Sequence, residues 1–213
     1  MQNILPIPST PQQHRLGQYF TPVWLAELIV EKYFRHLTSH DLILDAGTGT
    51  GNLLLGLPAH VPAIGVECDP LLAATARTRT KREILIGDFR TIPIGHQPTM
   101  ILSNPPFTTT VMEAFLQRSY DLLPQDGQAC YILPAYFLQT SQRTMQYINQ
   151  WSITVQLLPR DIWPRLSHPV LLALFTKSLK RTLVGLTCFA ETAALRTLPH
   201  HLQRSLHQAT TSV

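Results

Sequence analysis

The sequence predicts an α/β fold: a doubly wound, mostly parallel sheet of seven strands with an antiparallel edge strand and helices on both faces. Short apolar runs alternate with segments of helical spacing, the pattern of strand–helix–strand units. The early runs are nearly continuous Ile, Leu and Val, as strands buried on both faces must be. The last two runs are separated by only eleven residues, which include Pro159, Pro164 and Pro169. That gap is too short and too proline-rich for a crossover helix, so an antiparallel pair is expected at one edge.

Residues 1–14 are rich in Pro, Gln and Ser without periodicity and read as a flexible arm. After Thr21-Pro22 the apolar positions Trp24, Leu25, Leu28, Ile29, Tyr33 and Leu37 recur at three and four, predicting an amphipathic helix with Thr21 as N-cap and Pro22 at its first position. Strands are expected over 42–46, 63–67, 84–87, 100–104, 129–133, 153–158 and 170–176, and helices over 71–81, 111–123 and 136–150. Residues 177–213 turn basic and then polar, with one further strand over 183–189. No internal repeat interrupts this order. The expected organisation is an arm over 1–14, one domain over 15–180 and a short extension over 181–213.

Composition limits what such a chain can do. Its 213 residues suit one domain at roughly 150 residues each. A hydrophobic content of 45% with 14% charge and a net charge of +4 supplies a core and excludes disorder along the whole chain. The apolar run near the end, Val170 to Phe175, has six residues against the roughly 20 that a membrane helix needs. The first residues lack a basic start and an apolar core, so a cytoplasmic protein is expected. Cys68, Cys130 and Cys188 have neither metal-ligand nor redox spacing and read as buried, reduced thiols. His200, His201 and His207 sit in a polar tail without partners, so no metal is expected. Up to Phe107 basic and acidic residues balance at eight each; beyond it there are nine against five. The positive charge of the second half is compatible with a polyanionic partner.

The strongest motif is Asp45-Ala46-Gly47-Thr48-Gly49-Thr50-Gly51-Asn52, directly after the first strand. Alternate glycines permit a tight turn and close approach to a ligand. Twenty residues past Gly47, Glu67 ends the second strand and can accept hydrogen bonds from a ribose. These features alone would also fit a nicotinamide site. Asp45, however, would crowd a pyrophosphate and instead suits an amino-acid ammonium group. Asp88 and Phe89, after the third strand, suit an adenine: Asp88 at the exocyclic amine, Phe89 against the ring. The fourth strand ends in Ser103-Asn104-Pro105-Pro106-Phe107. Two prolines after an asparagine make a rigid turn that lacks backbone donors and leaves carbonyls available. The Asn104 side-chain oxygen and the Pro105 carbonyl can then accept from one planar NH₂ group, while Phe107 offers a stacking face.

These residues resemble the class I S-adenosylmethionine-dependent methyltransferases, a Rossmann-like family, and within it the amino-methylating branch. They are most similar to the γ-class adenine-N6 DNA methyltransferases and the modification subunits of restriction systems. The likeness starts at Gly17-Gln18-Tyr19-Phe20-Thr21-Pro22, a segment that in the family covers the methionine part of the cofactor. It continues through Asp45 to Asn52, Glu67, Asp88-Phe89 and Asn104 to Phe107. It ends with Tyr131-Ile132-Leu133-Pro134, Leu158-Pro159 and Leu174-Phe175-Thr176-Lys177. The resemblance implies S-adenosylmethionine as cofactor, held by Tyr19, Phe20, Thr21, Pro22, Asp45, Ala46, Gly47, Gly49, Glu67, Asp88, Phe89 and Asn104. It implies transfer of a methyl group to adenine N6 in nucleic acid, with DNA favoured over RNA and Asn104, Pro105, Pro106 and Phe107 forming the catalytic turn. Expected substrate contacts are Phe107, a second stacking face from Tyr136 or Phe137, and phosphate contacts from Arg143, Arg160, Arg165, Lys177, Lys180 and Arg181. The run Arg77 to Arg82 reads instead as the solvated end of a helix.

One departure stands out. The roughly 35 residues after Lys177 cannot hold a target-recognition domain, so a specificity subunit supplies recognition, the enzyme is unselective, or the substrate is not duplex DNA. An RNA adenine or guanine amino-methyltransferase, a protein glutamine methyltransferase and a non-catalytic cofactor-binding subunit are the alternatives at this stage.

Overall fold

The computed structural model describes residues 19–139, 146, 148–178 and, for the backbone alone, 185–188. The arm, Gly17, Gln18, Arg143, Lys180, Arg181 and most of the extension lie outside the described residues, as does much of the helix expected over 136–150.

Strands β1 (Ile43–Ala46), β2 (Ala63–Glu67), β3 (Glu83–Ile86), β4 (Met100–Ser103), β5 (Gln128–Pro134), β6 (Ser152–Leu157), β7 (Val170–Thr176) and β8 (Gly185–Cys188) form one sheet in the order β3-β2-β1-β4-β5-β7-β6-β8. Neighbouring strands from β3 to β5 pair in parallel; β7 is antiparallel to both β5 and β6. Helices α1 (Val23–Tyr33), α2 (Asn52–Leu55), α3 (Pro70–Thr80) and α4 (Thr109–Leu122) connect them. The fold class is the expected one, with an adjustment at one side. The antiparallel strand lies inside the sheet, and the strand expected over 183–189 adds to β6 in parallel as an eighth member. β7 is almost wholly buried, and a run as apolar as VLLALFT is better satisfied between two neighbours than at an open edge.

The pleat divides the core in two. Ile43, Met100, Leu102, Cys130, Ile132 and Leu172 face one layer with Leu25, Ile29 and Phe34 of α1 and the residue after it. Leu44, Ile101, Ala129, Tyr131, Leu133 and Phe175 face the other with Met112, Phe115 and Leu116 of α4. This strict alternation along doubly buried strands follows from the two-residue period of the strand.

Local chemistry explains the helix ends. Asp69 caps α3 through its carboxylate, which accepts from Leu71 N at 2.8 Å and Leu72 N at 3.3 Å. Lys81 closes that helix with φ 58°. At α1 the expected cap is not used: Pro22 occupies the N-cap position, and the Thr21 hydroxyl does not bond the helix. Of the cysteines expected to be buried, Cys130 is, whereas Cys68 is exposed just past β2. The basic run that ends α3 is also more than a solvated helix end. Arg79 donates to Thr50 O and Asn52 Oδ1 at 2.6 and 2.7 Å, Arg82 donates to Val61 O and Pro58 O, and Arg77 donates to Ile84 O. Carbonyls left over by the turns recruit these guanidinium groups, each of which offers five donors.

The strand directions decide which loops can meet. The carboxyl ends of β1 to β6 share one rim, whereas β7 ends at the other, where Thr176 pairs with Gln128 and Ser152.

Candidate functional site

A cavity of about 200 Å³ opens at the carboxyl rim of the sheet. Its walls come from Tyr19 to Thr21, the Gly47–Gly49 turn, Glu67 and Cys68, Asp88 to Arg90, Asn104 with Pro106, and α4 residues Val111 and Phe115. This is the place where open α/β sheets bind ligands.

The glycine turn is built by its backbone. Gly47, Gly49 and Gly51 have φ of 78°, 57° and 85°, the left-handed region that side chains disfavour. Gly47 N and Thr48 N both donate to Val66 O, anchoring the turn to β2. A Cβ on Gly49 would lie 3.0 Å from the Phe20 ring, so that ring closes directly over the turn.

Three carboxylates stand behind or beside the cavity. Asp45 is fully buried, and neither of its carboxylate oxygens has a hydrogen-bond partner among the described residues. Burial, reinforced by the nearby Glu67 charge, pushes its pKa up to about 8. Asp45, like Ala46, is not part of the cavity wall; the Gly47–Gly49 turn stands in front of it. Glu67 is 5% exposed and lines the cavity. Its Oε2 accepts from Gly49 N at 2.7 Å and its Oε1 from Asp69 N at 2.9 Å, so it fixes the glycine turn as well as facing the cavity. An ionised carboxylate has about four acceptor directions, which leaves capacity for a ligand. Asp88 is held by Arg90 through several contacts, and that guanidinium keeps its carboxyl below the usual range. Both side chains are over a third exposed, so the pair contributes little to stability. Phe89 is buried and packs edge-on against Phe115 at 4.9 Å.

The asparagine turn is joined to the segment before α1. Asn104 Nδ2 donates to Tyr19 O and, at 3.1 Å, to Thr21 Oγ1. This orients the amide and assigns Oδ1 as its remaining acceptor. Pro106 O is occupied by Thr108 N at 2.7 Å, whereas Asn104 Oδ1 and Pro105 O accept nothing from the described residues. Phe107 is half-buried between the two core layers, with the Tyr19 ring 5.7 Å away at 31°.

The structure separates the expected substrate residues. Tyr136 reaches the site: its hydroxyl donates to Phe107 O at 2.8 Å. Phe137 does not; it is fully buried in the core, since adjacent residues of the 3₁₀ turn Ala135–Gln139 lie about a third of a turn apart. Arg160 and Arg165 are exposed on the β6–β7 loop, on the same rim of the sheet as the cavity but outside its wall. Lys177 is displaced from this group. It follows β7 to the opposite rim, where its ammonium donates to Tyr120 O and Leu123 O at 2.7 and 2.8 Å. Three further residues join the site without a role having been expected for them. Asn52 Nδ2 donates to Thr21 O at 2.7 Å and its Oδ1 accepts from Arg79. Trp163 Nε1 donates to Phe20 O at 3.0 Å, and His168 stands edge-on to Tyr136 at 5.3 Å. Asn52 directly follows the last glycine, which was the one available signal; the others depend on partners distant in sequence.

The sheet order from β3 to β6, the glycine turn after β1 and the acidic ends of β2 and β3 define a class I S-adenosylmethionine-dependent methyltransferase fold. Solved structures agree. The methyltransferase subunit of a type I restriction-modification system from Streptococcus thermophilus matches with a TM-score of 0.70 and 19% identity, over 88% of this chain and 53% of that one. A Listeria monocytogenes protein assigned to the class I S-adenosylmethionine-dependent methyltransferases matches with a TM-score of 0.68 and 17% identity, over 85% of this chain and 71% of that one. In sequence, the chain is 31% identical over 96 residues to the type II methyltransferase M.CvrRI of Paramecium bursaria Chlorella virus XZ-6E, which is 44% of this chain and 25% of that protein. The chain thus matches a quarter of the length of that relative. No family model matches.

Proposed function

We propose that this chain is an S-adenosylmethionine-dependent methyltransferase acting on the N6 amino group of adenine in DNA. The observation that carries this reading is the Asn104 amide, oriented by Tyr19 O and Thr21 Oγ1 so that Oδ1 and the adjacent Pro105 O remain as acceptors beside the cavity. The kinship to M.CvrRI and to a type I modification subunit favours DNA over RNA.

The cavity fits the cofactor in its charge. An orphaned, fully buried carboxylate at Asp45 and a second buried carboxylate at Glu67 disfavour an anion and welcome a ligand bearing positive charge. Asp45 and Ala46 would stand at the amino-acid end, Gly47 and Gly49 would offer close backbone approach, Glu67 would take the ribose, and Asp88 with Phe89 the adenine. Tyr19, Phe20, Thr21 and Pro22 would cover the methionine end. The bound cofactor supplies a methyl group on a positively charged sulfur.

The chain's own residues do the rest. Adenine N6 is a weak nucleophile because its lone pair is delocalised into the ring. Asn104 Oδ1 and Pro105 O, accepting from its two N–H groups, favour a more tetrahedral nitrogen whose lone pair is available. The C–N bond would form at the expense of the methyl–sulfur bond that the cofactor supplies, with Asn104 Oδ1 and Pro105 O holding N6 in place. The extra proton on N6 then leaves to solvent, so no buried base is needed. Phe107 and Tyr136 border the place of the target ring, and positioning supplies most of the rate. Arg160 and Arg165, with Arg143, are assigned to phosphates. A base in duplex DNA would have to leave the stack at a cost of a few kcal/mol. A specificity subunit is the partner that would select the site. Among the described residues no helix is long and apolar enough to cross a membrane, and no group of side chains could hold a metal ion.

The test incubates the protein with S-adenosylmethionine labelled in its methyl group and a mixture of DNA and RNA, then analyses nucleosides by mass spectrometry. Label is expected in N6-methyldeoxyadenosine; label confined to ribonucleosides or to protein would overturn the DNA assignment. The cofactor half has its own check. Gly49→Ala forces a side chain into left-handed backbone and against Phe20, and should weaken S-adenosylmethionine binding at least ~10-fold by calorimetry. Unchanged affinity would place the cofactor elsewhere.

A further inference from the structure

The segment Tyr19–Thr21 has three successive carbonyls, each held by a side chain from a different element. Asn104, after β4, takes Tyr19 O; Trp163, in the β6–β7 loop, takes Phe20 O at 3.0 Å; Asn52, opening α2, takes Thr21 O at 2.7 Å. These residues precede α1, so their carbonyls have no helix or ladder partner, and each side-chain donor satisfies a group that would otherwise be orphaned. The segment is thus a strap whose position is dictated by three loops at once. Its Phe20 ring lies on Gly49, in the wall of the cofactor cavity.

The loop that carries Trp163 also faces outward. Trp163 O accepts from Leu166 N at 2.9 Å, closing a turn that presents the exposed Arg165, and Arg160 braces the same loop through Ser167 O at 2.9 Å. His168, at its end, stands against Tyr136, which holds Phe107 O. One short loop therefore touches the strap directly and reaches the turn that borders the target base through Tyr136.

We infer that Trp163 is a positioning residue that couples nucleic-acid binding on the β6–β7 loop to closure of the Tyr19–Thr21 strap, so that each ligand tightens the other. This rests on the proposed nucleic-acid substrate. Phosphates engaged by Arg160 and Arg165 hold the loop, the indole N–H then holds Phe20, and Phe20 holds the glycine turn against the cofactor. Coupling of this kind is reciprocal: cofactor must tighten nucleic acid by the same factor.

The test measures affinity for S-adenosylhomocysteine by calorimetry, with and without a saturating adenine-containing DNA duplex, for the wild-type chain, Trp163→Phe and Asn52→Ala. In the wild type the duplex should tighten binding about five-fold. Trp163→Phe keeps a ring but loses the donor, and its affinities with and without duplex should become equal. Asn52→Ala also loosens the strap, at Thr21 O, but lies outside the loop; its affinity should fall while the duplex effect persists. A Trp163→Phe protein that retains the five-fold effect overturns the inference. So does a wild type that methylates DNA yet binds the ligand equally with and without duplex, whatever the variant does. A wild type that labels no nucleic acid and shows no duplex effect overturns the substrate reading first, and this inference with it.

Discussion

Replacing Asn104 by alanine will lower methyl transfer about a thousand-fold, the scale set by removing one preorganised hydrogen-bonding group from a reacting centre. The same change removes two donations to the strap, at Tyr19 O and Thr21 Oγ1, so S-adenosylmethionine affinity should fall by a few-fold as well. The two losses are read separately: single-turnover rate at saturating cofactor for the first, calorimetry for the second. Asn104→Asp sharpens the distinction. It keeps an acceptor oxygen but sets a second oxygen against Tyr19 O, so it should be as inactive as alanine and weaken the cofactor more. Undiminished turnover in either variant would remove Asn104 from the chemistry.

The second large effect is at Asp45. Its carboxyl is fully buried, and its pKa is pushed up to about 8 by burial and by Glu67. Between the ordinary carboxylate value and about pH 8 the folded protein therefore holds a proton that the unfolded chain has released. Stability of the ligand-free protein should then fall as pH rises from 5 to 8, by about 1 kcal/mol per pH unit from this group, and level off above. Asp45→Asn cannot ionise and should lack that slope, melting above the wild type at pH 8.5 in the absence of ligand. Its cofactor affinity should move the other way, weakening at least ~10-fold as a buried negative charge behind the Gly47–Gly49 turn is lost to a ligand bearing an ammonium group. Thermal melts across pH 5–9 and calorimetry at pH 8 decide both. A variant with wild-type affinity would show that Asp45 does not serve the cofactor.

What could be read from the sequence was whatever depends on near neighbours or on simple alternation. The strands around β1 and β4 were legible because burial on both faces demands unbroken apolar runs. The loop after β1 was legible because left-handed backbone demands glycine. Thr21 shows where such reading stops. A threonine before Pro22 looks like a helix cap, yet its hydroxyl serves an amide 83 positions later. Asn52, Trp163 and Arg79 likewise act on backbone carbonyls far along the chain, and no periodicity announces such partners. Tyr136 and Phe137 could not be separated until the direction of one 3₁₀ turn was known. Lys177 is different: an antiparallel last strand was expected, and it already implies that the residue after it emerges on the far rim. Its positive charge alone does not say on which rim it emerges.

The antiparallel placement of β7 has a consequence for the loop between it and β6. That loop leaves and re-enters the sheet at the same rim, and its two ends are riveted by the six-residue register from Ser152↔Thr176 to Leu157↔Leu171. Its twelve residues, 158–169, are therefore closed by hairpin geometry, and the chain entropy of closing them is lost when the protein folds. On the proposed function, Arg160 and Arg165 would meet an incoming polyanion already mustered on a short tether. The hairpin limits how far the two cations can stray before the encounter, and the motion the loop keeps between its riveted ends is what bound phosphates would take up.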